Sequence, residues 1–162
     1  MNKKYQILKD TFGHDKFRSF QEEVVDSIIN KQDVLTILPT GGGKSLCYQL
    51  PTLLMDGVTV VISPLIALMQ DQIKALNDLD IKAKMISSSQ SNDENNFTMQ
   101  KLLNGDLKFI YVAPERFTSN EFVGVLQRIN INYFVDSIHK CLLILLKYST
   151  YHILLFVKYI PF

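Results

Sequence analysis

The residues best suited to chemistry stand at positions 38–45, where the chain reads Leu38-Pro39-Thr40-Gly41-Gly42-Gly43-Lys44-Ser45. Glycines let backbone N–H groups converge on phosphate oxygens without a Cβ in the way. A helix starting at such a loop points its positive end at the same oxygens. A lysine there reaches the β- and γ-phosphates as a point charge. A serine hydroxyl can join the coordination of Mg²⁺. Thr40, Gly41, Gly42, Gly43, Lys44 and Ser45 are therefore candidates to bind a nucleoside triphosphate, with Ser45 as a candidate Mg²⁺ ligand. Leu38 departs from the usual pattern, because the first glycine of such loops is normally written there. The alternative is a glycine-rich turn that Lys-Ser follows by chance.

A strand must deliver this loop and a helix must leave it. Residues 33–38 form a short β-rich run that stops at Pro39. Residues 44–54 read as a helix ending near Gly57. Upstream, Val24, Val25, Ile28 and Ile29 share a helical face, with Gln21, Glu22 and Glu23 in the first turn, where acids suit the dipole. Downstream, 58–62 is a continuous apolar strand of the kind buried in a parallel sheet. Leu65, Leu68, Met69, Ile73 and Leu76 share a helical face. Strands at 82–86, 107–112 and 131–135 alternate with helices at 92–104 and 121–128. This alternation predicts an α/β fold, a parallel sheet with helices on both faces.

Charge gives little direction, since 17 Lys+Arg stand against 16 Asp+Glu and any polyanion binding must be local. Cys47 and Cys141 make neither a disulfide framework nor a zinc spacing, so a reduced, cytoplasmic setting is the default. The start, Met-Asn-Lys-Lys-Tyr, shows no secretory signal. The averages conceal a break. All acidic residues lie at or before Asp136, and residues 137–162 carry none. From Cys141 onward 16 of 22 residues are apolar, so the chain divides into a mixed part, 1–136, and an apolar tail, 137–162.

Several runs carry a family resemblance. Residues 38–51, Leu-Pro-Thr-Gly-Gly-Gly-Lys-Ser-Leu-Cys-Tyr-Gln-Leu-Pro, resemble motif I of the RecQ family of ATP-dependent DNA helicases. Phe12-Gly13, Phe17-Arg18 and Gln21 resemble the family's motif 0. Residues 60–72 resemble motif Ia. Ser88-Ser89-Gln90 and Tyr111-Val-Ala-Pro-Glu-Arg116 resemble later landmarks in the same order. Together they cover roughly residues 5–136. The resemblance implies a RecA-like P-loop domain, the first of two in a motor that hydrolyses ATP with Mg²⁺ and moves 3′ to 5′ on single-stranded DNA in repair and recombination. It implies that Gln21 hydrogen-bonds the adenine edge, with Arg18 beside it; an amide offers both donor and acceptor. The alternative for Gln21 is a solvated helix-start residue. His14 occupies the place of an aromatic that stacks on adenine, and Ser19-Phe20 replaces the usual Pro-Gly. Ser63-Pro64-Leu65 with Gln70, Asp71 and Gln72 would face nucleic acid, with Leu65, Leu68 and Met69 alternatively core. Arg116 would meet a phosphate or another domain, or make a surface ion pair. Pro114-Glu115 would fix the turn after its strand.

The resemblance breaks at Asp136-Ser137-Ile138-His139, where the family has Asp-Glu-Ala-His. Asp136 is the implied second Mg²⁺ ligand and, with Lys44, an implied catalytic residue. The missing glutamate orients and deprotonates the attacking water, and serine has no basic site to do so. Losing a positioned general base typically costs ~10²–10⁴-fold in rate. ATP binding survives on this reading, but rapid hydrolysis does not. The family's aromatic-rich loop is replaced by Lys140-Cys-Leu-Leu-Ile-Leu-Leu-Lys147, so binding to single-stranded DNA is expected to be weak. The tail admits three readings. A membrane helix needs about twenty residues, and the longest uncharged stretch, 148–157, has ten. The others are a strand or helix that caps the sheet, and a truncated or frame-shifted end. No zinc site is expected. Residues 1–136 are thus a partial first RecA-like domain and 137–162 an anomalous tail. The expected function is the ATP-binding portion of a helicase that does not unwind alone. The alternatives are a nucleotide- or DNA-binding module without turnover, or a non-functional remnant.

Overall fold

The computed structural model describes residues 2–39, 41–138 and 152–158, with side chains described for 2–37 and 41–136. These residues fall into two compact units. One is drawn from 1–55 and 135–159, the other from 56–134.

The first unit opens with α1 (Lys3–Asp10), which the hydrophobic pattern does not reveal. Its start is nonetheless written locally: Asn2 Oδ1 accepts a hydrogen bond from the Lys4 backbone N–H at 3.2 Å, satisfying an otherwise orphaned donor. Next come α2 (Gln21–Ile29), β1 (Val34–Pro39) and α3 (Lys44–Leu53). Helices α1, α2 and α3 close on a small core of Leu8, Val25, Leu46 and Leu50, with Phe12, Phe17 and Ile29 at its margin. Pro39 ends β1, where a residue without a backbone N–H is tolerated. The strand–loop–helix order that a phosphate loop requires is therefore present.

One departure from an all-parallel sheet lies in this unit. Strand β6 (His152–Lys158) pairs antiparallel with β1, in a register running from Val34 opposite Val157 to Pro39 opposite His152. Composition gives the reason for a strand: Ile153, Phe156 and Val157 are strong strand formers. A strand in the tail is one of the readings left open above. No helix among the described residues is long and apolar enough to cross a membrane.

The second unit holds β2 (Val58–Ile62), α4 (Ile66–Asn77), β3 (Ala83–Ile86), α5 (Asn92–Leu103), β4 (Phe109–Val112), a 3₁₀ turn (Pro114–Thr118), α6 (Asn120–Leu126) and the first half of β5 (Ile131–Ile138). Its strands lie in the order β5-β2-β4-β3. β2 and β3 both run parallel to β4, with Val60 and Lys84 each opposite Ile110. Every residue of β4 is buried, as expected of a strand covered on both faces. The core gathers Val60, Ile86, Ile110, Val112, Met99, Leu102 and Phe122. Phe117 adds an edge-on contact to Phe122 at 5.6 Å between ring centres. Gly57 starts β2 against β5: its N–H donates to Asn132 Oδ1 and its carbonyl accepts from Asn132 Nδ2, both at 2.9 Å. A Cβ there would lie 2.5 Å from the Asn130 carbonyl oxygen, so only glycine fits.

Helix α5 carries a reciprocal cap. Ser91 Oγ accepts from the Glu94 N–H at 3.2 Å, and Glu94 Oε2 accepts from the Ser91 N–H at 2.8 Å. The Ser91 backbone N–H, then its hydroxyl, hold the Glu94 carboxyl below the usual glutamate range. A depressed carboxylate contributes stability above its unfolded pKa and loses it as pH falls through the folded one. Ser91→Ala is expected to cost about 1 kcal/mol, read as a lower urea midpoint with an unchanged slope. The difference from wild type should shrink in acid.

Candidate nucleotide-binding site

Gln21 is the first residue of α2. Phe20 before it adopts a left-handed conformation, φ 70°, and gives that helix no side-chain cap. The turn instead uses the Gln21 side chain. Its Oε1 accepts from the Arg18 N–H at 2.8 Å, and its Nε2 donates to the Gly43 carbonyl at 3.1 Å. Arg18 Nη1 donates to the Gly41 carbonyl at 2.7 Å. Two side chains of one turn thus hold two carbonyls of the glycine loop. Gln21 is 2% exposed, so it is not the solvated helix-start residue that was its alternative. Gly43 has φ +72°, and a Cβ on it would stand 2.3 Å from Gln21 Nε2. Both the backbone conformation and the close approach require glycine there.

Helix α3 starts at Lys44 with Gly43 as its cap, a residue without a side chain to cap it. An uncapped helix start directed by a glycine loop is suited to an anion. Burial pulls the Lys44 ammonium below the usual lysine range, so a polyphosphate partner would restore what burial removes. Ser45 follows in the first turn. Cys47, one turn on, is buried, and burial pushes its thiol up to about 11. That thiol is a neutral packing group. Asp136 sits half-buried on β5, in the same unit as the loop, and burial raises its carboxyl above the usual aspartate range. Ser137 follows it within the strand. Thr40 and His139 lie outside the described residues.

A hydroxyl and a carboxylate are hard oxygen ligands, and Mg²⁺ is usually held by one or two carboxylates plus phosphates and water. Ser45 and Asp136 fit that chemistry. Among the described residues, no group of three or more His, Cys, Asp or Glu could hold a metal ion, and Mg²⁺ bound to a triphosphate needs none.

The second unit carries the other sequence candidates. Ser63, at the end of β2, is 2% exposed, and its Oγ accepts from the Leu65 N–H at 3.3 Å. Gln70 and Asp71 are exposed on α4 and Gln72 is half-buried. The apolar trio divides: Met69 is core, Leu68 half-buried and Leu65 38% exposed. Ser88 Oγ donates to Glu115 Oε1 at 3.2 Å, joining two of the sequence landmarks. Arg116 Nε and Gln90 Oε1 are buried with no hydrogen-bond partner among the described residues. In the first unit, His14 is exposed, and its N–H donates to the Leu8 carbonyl at 3.0 Å.

The residues missed by sequence reasoning are on α1. Lys4 Nζ lies 2.6 Å from Asp26 Oδ1 and 2.7 Å from Glu22 Oε1, and the Tyr5 hydroxyl donates to Glu22. The available signal was the pair Glu22 and Asp26, four apart on α2, presenting two carboxylates to one cation.

Comparison with known proteins adds to this geometry. Residues 18–146 match the family model described as DEAD/DEAH box helicase. The chain is similar to the ATP-dependent DNA helicase RecQ of Haemophilus influenzae, 42% identical over 82% of this chain and 22% of that protein. It is 45% identical to RecQ of Bacillus subtilis over 81% of this chain and 22% of that protein. It is 41% identical to ATP-dependent DNA helicase Q1 of Rattus norvegicus over 83% of this chain and 23% of that protein. The chain thus spans less than a quarter of the length of these curated relatives. Among solved structures, the DUF1998 helicase MrfA bound to DNA superposes with a TM-score of 0.60 at 24% identity, over 74% of this chain and 18% of that one. That likeness supports the α/β fold alone.

Proposed function

The chain belongs to the DEAD/DEAH box helicase family, RecQ-like in sequence, and on that premise we propose that residues 1–136 are the ATP-binding portion of a 3′–5′ DNA helicase. The observation that carries the reading is the glycine loop gripped by Gln21 and Arg18. Through that grip the Gln21 amide, suited to an adenine edge, would sit beside a loop suited to its phosphates. Loop N–H groups and Lys44 would bind the triphosphate. Ser45 and Asp136 would hold Mg²⁺, which would neutralise charge developing on the phosphate. The exposed turn that follows Ser63, Pro64-Leu65, with Gln70 and Arg116, supplies the proposed contacts to single-stranded DNA. Their binding is expected to be weak, and residues 1–162 are not expected to unwind DNA by themselves.

Ser137 favours a second reading, a module that binds nucleotide without rapid turnover, since the position lacks a basic carboxylate. Both readings require the same site.

Asp136 supplies the test. A carboxyl whose folded pKa is raised stabilises the fold only below its unfolded pKa, and loses that contribution as pH rises through the folded one. At neutral pH the ionised group is therefore a cost to folding. Asp136→Asn is expected to raise the melting temperature while weakening Mg²⁺-dependent binding of a fluorescent ATP analogue. In wild type, the Mg²⁺-dependent part should fade on acidification at higher pH than an exposed aspartate would give. Mg²⁺ dependence left intact by Asp136→Asn would overturn the assignment.

A further inference from the structure

Lys4 is 8% exposed, a buried lysine held among carboxylates. Its ammonium lies 2.6 and 2.8 Å from the two oxygens of Asp26 and 2.7 Å from Glu22. It also stands over two aromatic rings, 5.3 Å from the centre of Tyr5 and 5.9 Å from that of Phe17. Those rings meet edge-on at 5.6 Å. Burial by itself would pull the ammonium down, but Asp26 and Glu22 outweigh it and hold it above the usual lysine range. Its ammonium is directed at these carboxylates and not at the glycine loop's carbonyls, which Gln21 and Arg18 hold.

The placement of its partners is informative. Phe17 is the residue before Arg18, and Glu22 is the residue after Gln21. Lys4 therefore grips both sides of the four-residue turn that presents Arg18 and Gln21 to the glycine loop. That turn needs outside support, because Phe20 has a positive φ and leaves α2 without a side-chain cap. If Lys4 is lost, the Glu22 and Asp26 carboxylates lose the cation that ties the first turns of α2 to α1, and that turn is held less firmly. A small rotation carries the Gln21 amide away from Gly43, whereas the loop and Lys44 belong to a different element.

We propose that Lys4 is a positioning residue for base recognition, fixing the Gln21 amide and Arg18 through Glu22, Asp26 and Phe17. The inference rests on the proposed role of Gln21 at the adenine edge. It assigns Lys4 to base selectivity and not to triphosphate affinity, which separates it from a general role in stability.

The test measures the affinities of the full 162-residue chain for ATP, GTP and inorganic tripolyphosphate. Wild type is expected to prefer ATP over GTP, and Gln21→Ala to lose that preference. Lys4→Met should reduce the ATP-to-GTP ratio about fivefold, the equivalent of losing one net hydrogen bond to the base, with tripolyphosphate affinity unchanged. Lys4→Arg should retain the ratio, because a guanidinium also serves two carboxylates. Should Lys4→Met fail to fold, Glu22→Gln, altering a side chain that is 42% exposed, should lower the same ratio. A wild type with no ATP preference removes the reading of Gln21 and this inference with it. A preference lost in Gln21→Ala but kept in folded Lys4→Met, or in Glu22→Gln where that variant replaces it, overturns this inference alone.

Discussion

Lys44→Ala lowers the affinity for a fluorescent ATP analogue by roughly 10- to 100-fold, the range expected when a hydrogen-bonded charge is removed from a charged partner. The loss should exceed that of Gln21→Ala, which removes only neutral hydrogen bonds. Stability should move little or rise. Burial depresses the Lys44 ammonium, and a base with a depressed folded pKa is costly to the fold while charged. Binding and stability are thus expected to move separately, which distinguishes a ligand-binding lysine from a structural one. Lys44→Arg should recover only part of the affinity. A planar, delocalised guanidinium does not reproduce the point charge of a compact ammonium. Unchanged binding in Lys44→Ala would return the loop to its alternative, a glycine-rich turn with a chance Lys-Ser.

Much of this arrangement is legible in residues 33–62, because three signals coincide there. A β-rich run ends at a proline, glycines follow, and a helical stretch begins at Lys44. Each signal is local, and each fixes its element in the structure within a residue or so. The alternation of strand and helix from 58 to 112 likewise predicts the parallel pairings on β4. Other features depend on groups far apart in sequence. Gln21 looks like a helix-start amide in the sequence, and its side chain is drawn to carbonyls at positions 42 and 43. The clasp on Lys4 joins residues 22 apart. Helix α1 is short and polar, and its stability comes from packing Leu8 into the core rather than from its own propensity. The pairing of β1 with residues 152–158 is the most distant case. Strand register across such separation depends on tertiary partners that no local window contains.

Ser137→Glu raises the rate of ATP hydrolysis by ~10²–10⁴-fold over the wild-type chain, the typical contribution of a positioned general base. The step needs an attacking water to lose a proton as its oxygen bonds the γ-phosphorus and the β–γ bridging bond breaks. A carboxylate next to Asp136 can take that proton. A serine hydroxyl, itself a weak acid, cannot. Ser137→Gln is the control, since it matches glutamate in size and hydrogen-bonding reach but has no basic oxygen. It should leave the rate at the wild-type level, and ATP-analogue affinity should be similar in all three proteins. Single-turnover phosphate release separates the chemical step from binding. A rate gain confined to Ser137→Glu would show that this position alone limits a site otherwise built for hydrolysis. Equal, negligible rates in all three would sink the hydrolytic reading of residues 1–136, leaving a nucleotide-binding module whose Gln21, Lys44 and Asp136 hold ATP without cleaving it.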